Sequence, residues 1–191
     1  MLKLVIDKFE KVINKDLSLK IPSIIFDGGK INVVQGANGT GKTTFLLVLL
    51  RADLKYKGLI KYINDECEYN PKKKDIIYVP PKNALVKYLS IKSNLNIFNR
   101  IDINSFINEF KINIKTKVAN LSGGEEEIIA IYRLKDVSNK ILLLDEVTSF
   151  LDDFMFDKVM EIILRLSKNN LVIFATHDVR VLNHYKPDLI F

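Results

Sequence analysis

The stretch Ile31-Asn-Val-Val-Gln-Gly36-Ala-Asn-Gly39-Thr-Gly41-Lys42-Thr43-Thr44 decides how the rest of the chain is read. Its first five residues include the β-branched Ile31, Val33 and Val34, the content of a buried strand. Residues 42–51 have the length and apolar spacing of a helix. Between them, Gly36, Gly41, Lys42 and Thr43 fill every fixed position of G-x-x-x-x-G-K-[ST]. Glycines at such a junction let backbone amides curl around an anion, and the helix N-terminus adds a partial positive charge. A glycine-rich turn with a chance lysine is the bland alternative. The complete pattern, placed after a strand and before a helix, weighs against it.

Outward from this loop, residues 2–6 and 17–26 read as short strands with turns, and Asp27-Gly28-Gly29 as a tight turn. Strands are expected at 58–63 and 76–79. The polar stretch 85–120 carries short helical patterns at 91–98 and 104–110. Beyond it come a helix over about 124–137, a strand at 140–144, a helix over 152–167, a strand at 171–175 and a last strand within 187–191. In the 152–167 helix, Phe156, Val159, Ile163 and Leu166 recur at helical spacing. Alternating strands and helices imply a mainly parallel sheet covered on both faces.

Composition narrows the classes. A length of 191 residues suits one domain with its own core, and 48% hydrophobic residues fit a globular protein. No apolar run approaches the ~18–20 residues that span a bilayer. The N-terminus alternates apolar and charged residues and does not read as a secretion signal. The single cysteine, Cys67, agrees with a reducing compartment. A net charge of +6 suits nucleic acid, an anionic membrane face or nucleotide, and decides among none of them. The run Lys72–Lys74 reads first as a solvated loop and second as a contact surface.

Two further segments carry chemistry. Ile141-Leu-Leu-Leu-Asp145-Glu146 is an apolar strand that ends in two acids. Its rigid end holds Asp145 where an indirect or water-mediated Mg2+ contact is possible, and Glu146 where it can orient and deprotonate water. Leu121-Ser122-Gly123-Gly124-Glu125-Glu126-Glu127 places an anion-binding helix start directly before three carboxylates. Carboxylates in a first helical turn stabilise it by roughly 0.3–1 kcal/mol each when exposed, so these are expected to point back along the helix or out to solvent.

The phosphate loop, the LSGG segment and LLLDE together resemble the ATP-binding-cassette ATPases over nearly the whole chain, and Leu121, Asp145 and His177 stand at that family's usual separations. The resemblance implies an α/β fold of the P-loop NTPase class, with a mainly parallel sheet, an N-terminal antiparallel β subdomain and a short helical insertion. It implies one nucleotide-binding domain over 1–191, with the insertion at about 85–120. ATP and Mg2+ are the implied cofactors, with Asn38, Gly39, Thr40, Gly41, Lys42, Thr43 and Thr44 cradling the phosphates. Lys42 would reach the β- and γ-phosphates, and Thr43 and Asp145 would hold the metal. Glu146 would activate water, and His177, in Ala175-Thr176-His177-Asp178, resembles the switch histidine at the γ-phosphate. Phe9 sits where an aromatic ring usually stacks on adenine, with Tyr56 and Tyr62 as alternatives. Ser122, Gly123 and Gly124 would complete the site of a second subunit across a dimer interface, which the loop Ser149-Phe150-Leu151-Asp152 would cross. His184 and Cys67 match no motif and read as structural.

Some positions depart from the family pattern. Glu125 stands where most members have Gln, and Ile128 where Arg is common. Tyr78-Val79-Pro80-Pro81 stands where the family normally ends in a Gln whose amide approaches the metal and the attacking water. Pro81 has no such group. Either Asn83 substitutes from a shifted loop, or the contact is missing and hydrolysis is slow. The resemblance implies a transmembrane permease subunit on a separate chain, a second cassette in a homodimer or heterodimer, and a place on the cytoplasmic face of the membrane. The alternative is a soluble cassette acting on nucleic acid or ribosomes, suggested by Glu125 and the basic charge. Against it, no long coiled coil fits between Lys42 and Asp145, and a single cassette is present where ribosome-associated members usually carry two, so nucleic acid is not the expected partner.

Overall fold

The computed structural model describes residues 1–15, 17–98 and 100–191. In chain order its first elements are β1 (Leu2–Val12), β2 (Ser18–Ile21), β3 (Ile24–Asp27), β4 (Ile31–Gln35), α1 (Lys42–Leu49), β5 (Lys57–Asn64), β6 (Cys67–Tyr69) and β7 (Ile76–Val79). There follow α2 (Ile91–Leu95), α3 (Ile103–Phe110), α4 (Gly123–Tyr132), β8 (Ile141–Asp145), α5 (Asp153–Ser167), β9 (Leu171–Thr176), α6 (Val179–His184) and β10 (Leu189–Ile190).

The strands form two sheets. In the parallel one the order is β10-β4-β9-β8-β7, and β8 and β9 are buried at every position. Burial on both faces explains why these strands read as unbroken apolar runs. Register then fixes where the chemistry collects. Gln35 lies opposite Thr176, Asp145 opposite Ala175, and Val79 opposite Leu144. The phosphate loop, the Asp145-Glu146 pair, His177 and Pro80-Pro81 therefore all leave the sheet at its carboxyl edge, where open α/β sheets bind ligands.

The second sheet is antiparallel, in the order β2-β1-β5-β6 with β3 also paired to β1. It encloses α1 against one face of the parallel sheet, and one core cluster fills this layer. A second cluster fills the other face, beneath α2, α3, α4 and α5. There Phe106, Phe110 and Tyr132 meet with ring centroids 4.9–5.4 Å apart, which anchors the inserted helix α3 on α4. The α/β architecture implied by the sequence, with its parallel sheet, antiparallel subdomain and short helical insertion, is the one observed.

Boundaries differ in places. The expected strand region 17–26 is divided at Pro22, which has no N–H for the ladder. Helix α4 stops at Tyr132 because Leu134 and Lys135 bond back to Ile131 and Tyr132, three residues away, and tighten the chain into turns. Strand β6 and helix α6 are additional to the expected elements. Lys72, Lys73 and Lys74 are exposed, and the latter two lie in a single 3-10 turn.

Strand β1 contains the main correction. Leu4 and Ile6 face the core, and strict alternation would turn Phe9 outward. A bulge between Asp7 and Glu10 resets the alternation, with Lys8 at a φ of 50°. Gly58 on β5 makes room for it, since a Cβ there would lie 2.3 Å from the Lys8 carbonyl oxygen. Phe9 therefore points inward, 1% exposed, with its ring 5.9 Å from Phe45 and 5.5 Å from Tyr56. An aromatic ring packed in this way cannot also stack on adenine. Phe9→Ala is expected to destabilise the fold by about 3–5 kcal/mol, measured by urea denaturation. A loss below about 1 kcal/mol would mean that the ring is not part of the core.

Candidate active site

The phosphate loop opens into a cleft of about 510 Å³. Asn38, Gly39, Gly41, Lys42, Thr43 and Thr44 line one side, and Asp145, Glu146 and His177 the other. Gly41 starts α1 with a φ of 105°, a left-handed conformation that a side chain would strain. Lys42 is buried beneath the loop and donates to the carbonyl oxygens of Gly36 at 2.6 Å and Ala37 at 2.9 Å. Its Nζ also lies 2.9 Å from Glu146 Oε1, an ion pair made beside those two directed bonds. Thr40 stands apart from the cleft, its hydroxyl donating to the Ala37 carbonyl at 2.9 Å.

Glu146 leaves β8 at a φ of 53°, an unusual conformation for a non-glycine residue and one that clusters at functional sites. Its N–H donates to the Ala175 carbonyl at 2.9 Å, which holds the turn against β9. The carboxylate is gripped from two sides. Oε1 meets Lys42 and, at 2.8 Å, His177 Nδ1. Oε2 accepts the His177 N–H at 3.3 Å.

Asp145 is fully buried, and its Oδ2 accepts from the Thr43 hydroxyl at 2.7 Å and the Tyr78 hydroxyl at 2.9 Å. Burial pushes its carboxyl above the ordinary aspartate range, against the pull of those two bonds and of Lys42. Its Oδ1 is buried with no hydrogen-bond partner among the described residues. An orphaned carboxylate oxygen beside a threonine hydroxyl fits a hard cation. Among the described residues no three acids, histidines or cysteines gather as a metal cage. This donor set suits Mg2+, which takes one or two protein oxygens and draws the rest from phosphate and water.

Ser122, Gly123, Gly124 and Asp152 are not in this cleft. They line a second one, of about 660 Å³, bounded like the first by Phe150. Ser122 caps α4 in a capping box, accepting from the Glu125 N–H while Glu125 Oε2 accepts from the Ser122 N–H and hydroxyl, both at 2.9 Å. Glycine at 124 has a local reason too, since a Cβ there would lie 2.8 Å from the Phe150 carbonyl oxygen. Asp152 caps α5, accepting the Met155 N–H at 2.8 Å. Of the three glutamates, Glu125 turns back along the helix as expected, but Glu127 turns inward and is 7% exposed. Two residues further around the helix, its side chain faces the loop after β8 rather than solvent.

Ile13 and Leu17, which follow β1 and precede β2, give the phosphate-loop cleft apolar lining beside Pro81 and Phe150. Neither alternative aromatic lines this cleft: Tyr56 packs on Phe9, and Tyr62 is buried with its hydroxyl on the Leu49 carbonyl. Pro81 and Lys82 line the cleft, whereas Asn83 lines a neighbouring cavity, so Asn83 does not replace the absent amide in this arrangement. The sequence reading also missed Tyr78 as a partner of Asp145. The available signal was a lone hydroxyl in an otherwise aliphatic strand.

Residues 18–149 match the family model described as ABC transporter. A putative export ATP-binding/permease protein of Rickettsia typhi is 33% identical over 88% of this chain, which spans 32% of that relative's length. The ATP-binding protein of a tungstate uptake system from Peptoclostridium acidaminophilum is 26% identical, over all of this chain and 94% of its own. A branched-chain amino acid transport ATP-binding protein of Pseudomonas aeruginosa is 27% identical over 88% of this chain and 78% of its own. Among solved structures, a putative ABC transporter ATP-binding protein from Pyrococcus furiosus has a TM-score of 0.76 at 22% identity, covering 99% of this chain and 96% of its own. A dimeric ATP-binding cassette bound to ADP and phosphate has a TM-score of 0.65 at 20% identity, covering 95% and 90%. At these identities the structural likeness concerns the fold.

The Tyr78 hydroxyl is the contact to test. Tyr78→Phe keeps the ring and removes a donor from a buried carboxylate, and is expected to lower stability at pH 8 by about 1–3 kcal/mol. Urea denaturation of the two proteins measures this, and equal stability would mean that Asp145 does not depend on the bond.

Proposed function

The chain belongs to the ABC transporter family, and from that premise we propose that it binds and hydrolyses ATP as the nucleotide-binding subunit of a transporter, partnered by a transmembrane permease subunit. On this reading residues 1–191 form one nucleotide-binding domain, with about 85–120 as its helical insertion. The observation that carries it is the pairing of Lys42 with Glu146 at 2.9 Å inside the phosphate-loop cleft. A fixed cation for phosphate and a carboxylate for water occupy one site. The reading assigns the membrane passage to the partner; among the described residues no helix is long and apolar enough to cross a membrane. The curated relatives described above carry export, uptake or transport in their names, which favours this reading over a soluble role on nucleic acid or ribosomes. The subunit would work at the cytoplasmic face of the membrane.

Each residue then has a task. The backbone of residues 38–44 and the Lys42 ammonium receive the phosphates, while Ile13 and Leu17 offer an apolar surface to the base. Thr43 and Asp145 would hold Mg2+, which when bound spreads the charge of the phosphate oxygens. As phosphate takes over Lys42, Glu146 loses its cationic neighbour and becomes a better base. It accepts a proton from the water whose oxygen attacks the γ-phosphorus, and the bond from that phosphorus to the ADP oxygen breaks. His177, whose backbone N–H donates to Glu146 Oε2 and whose Nδ1 lies 2.8 Å from Oε1, keeps the carboxylate aimed. Pro81 stands where the family's Gln would, and hydrolysis without that amide is expected to be slow.

The LSGG segment and Asp152 face the second cleft, so a second cassette, identical or related, would supply its own copies to complete this site. Ser122 must first release Glu125, which accepts its hydroxyl. Glu146→Gln keeps the shape of the side chain and removes the base. Turnover is expected to fall at least about a hundredfold, with ATP still bound and an ATP-dependent dimer trapped, read by phosphate release and light scattering. Normal turnover in this variant would remove Glu146 from the role of base.

A further inference from the structure

The loop at 147–151, between the catalytic strand β8 and α5, is tied down from two directions. From α6, Arg180 donates to the carbonyl oxygens of Thr148 and Leu151, both at 3.0 Å, and Asp178 accepts the Thr148 hydroxyl at 2.9 Å. From α4, Glu127 Oε2 accepts the Phe150 N–H at 3.1 Å. The second tie is unusual, because it rests on a carboxylate that is almost wholly buried. Glu127 lines a mainly apolar cavity of about 220 Å³ beneath the loop that follows β7. Its Oε1 has no hydrogen-bond partner among the described residues.

We propose that Glu127 is a positioning residue for hydrolysis: its carboxylate holds loop 147–151 against α4, so that Glu146 at the head of the loop and Ser122 at the head of the helix move as one unit. The proposal rests on the reading of this chain as an ATPase. The geometry explains why a charge is kept in so unfavourable a place. A bond to an ionised acceptor is about twice as strong as one to a neutral acceptor, and this one spans two elements that hydrolysis needs in register. The same geometry makes the tie sensitive to pH. Burial pushes the Glu127 carboxyl up to about 7, while the amides of Phe150 and Ser149 favour its charged form. Lys82 and Lys87 line the same cavity, with Glu126 on α4 itself. Arg180 favours the charged form and Asp178 disfavours it. The loop itself contributes amides, hydroxyls and apolar groups but no side-chain charge. Protonation therefore weakens the grip on Phe150 while leaving the acceptor in place.

The sign follows from the raised value. The loop is held most firmly above pH 7 and loosens as the pH falls through it. Glu127→Gln fixes the neutral state, because its amide oxygen still accepts from Phe150 but carries no charge. Glu127→Ala removes the acceptor.

The test is steady-state ATP turnover of the full chain and both variants between pH 6 and 8.5, together with amide hydrogen exchange of segment 147–153 in the absence of nucleotide. The ratio of wild-type to Glu127→Gln turnover cancels every pH dependence that the two proteins share. It is expected to rise by about twofold to fivefold from pH 6 to 8, the scale of a charge-assisted over a neutral bond. Glu127→Ala is expected to fall below both in kcat, with the KM for ATP little changed. After correction for intrinsic rates, exchange in the segment should slow with rising pH in the wild type and not in Glu127→Gln. A flat turnover ratio, or a Glu127→Ala kcat equal to wild type, overturns the proposal. If no preparation turns over ATP, the ATPase reading fails, while the exchange difference still supports the tie and its absence overturns it.

Discussion

A strand buried on both faces can place a charge only at its end. That constraint governs this molecule, since β8 and β9 are buried at every position and apolar until Asp145 and Thr176. With β4 and β7 in parallel register beside them, each polar segment the chain needs emerges at the same edge. The phosphate loop, both acids and the histidine are thereby brought within one cleft although they are far apart in sequence. The left-handed turn at Glu146 is the local expression of this constraint. The chain must leave β8 at once to expose its carboxylate, and the bond from its N–H to Ala175 keeps that turn in place.

Within the cleft, charge is balanced before any ligand arrives. Lys42 is buried and satisfied by two loop carbonyls and Glu146, while Glu146 is shared between Lys42 and His177. Such pairing keeps two ionised groups in a partly buried site without leaving either unpaired. It also means that an incoming phosphate exchanges partners with groups already in position. Two carboxylate oxygens in the cleft have no hydrogen-bond partner among the described residues: Glu146 Oε1 still faces Lys42 and His177, whereas Asp145 Oδ1 is orphaned in the interior, which is where a cation gains most.

Much of this was legible in the sequence because its signals are contiguous. Gly36–Thr43 identifies a phosphate loop through local spacing, and the apolar runs ending in acid or histidine identify strands that open onto a site. What was not legible depends on distant residues. Phe9 occupies a plausible position for a stacking ring, but its direction is set by a bulge that requires Gly58 on another strand. Tyr78 matters only because the register of β7 and β8 brings its hydroxyl to Asp145. Glu127 looks like one member of a solvated acidic run, and its burial follows from the packing of Phe150 and the loop after β7 around α4. A run of like charges thus contains residues with different fates: Glu125 caps the helix, and Glu127 enters the interior.

The central claim is that the carboxyl edge of the parallel sheet forms a nucleotide site in which Lys42 is the fixed cation for the phosphates. Isothermal titration of Mg-ATP into the wild-type protein and into Lys42→Ala, with the fold of the variant verified by urea denaturation, tests it most directly. The expected result is saturable binding by the wild type and an affinity at least about a hundredfold weaker in the variant, equivalent to about 2.7 kcal/mol. Equal affinity in two folded proteins would contradict the claim and move the nucleotide away from the phosphate loop.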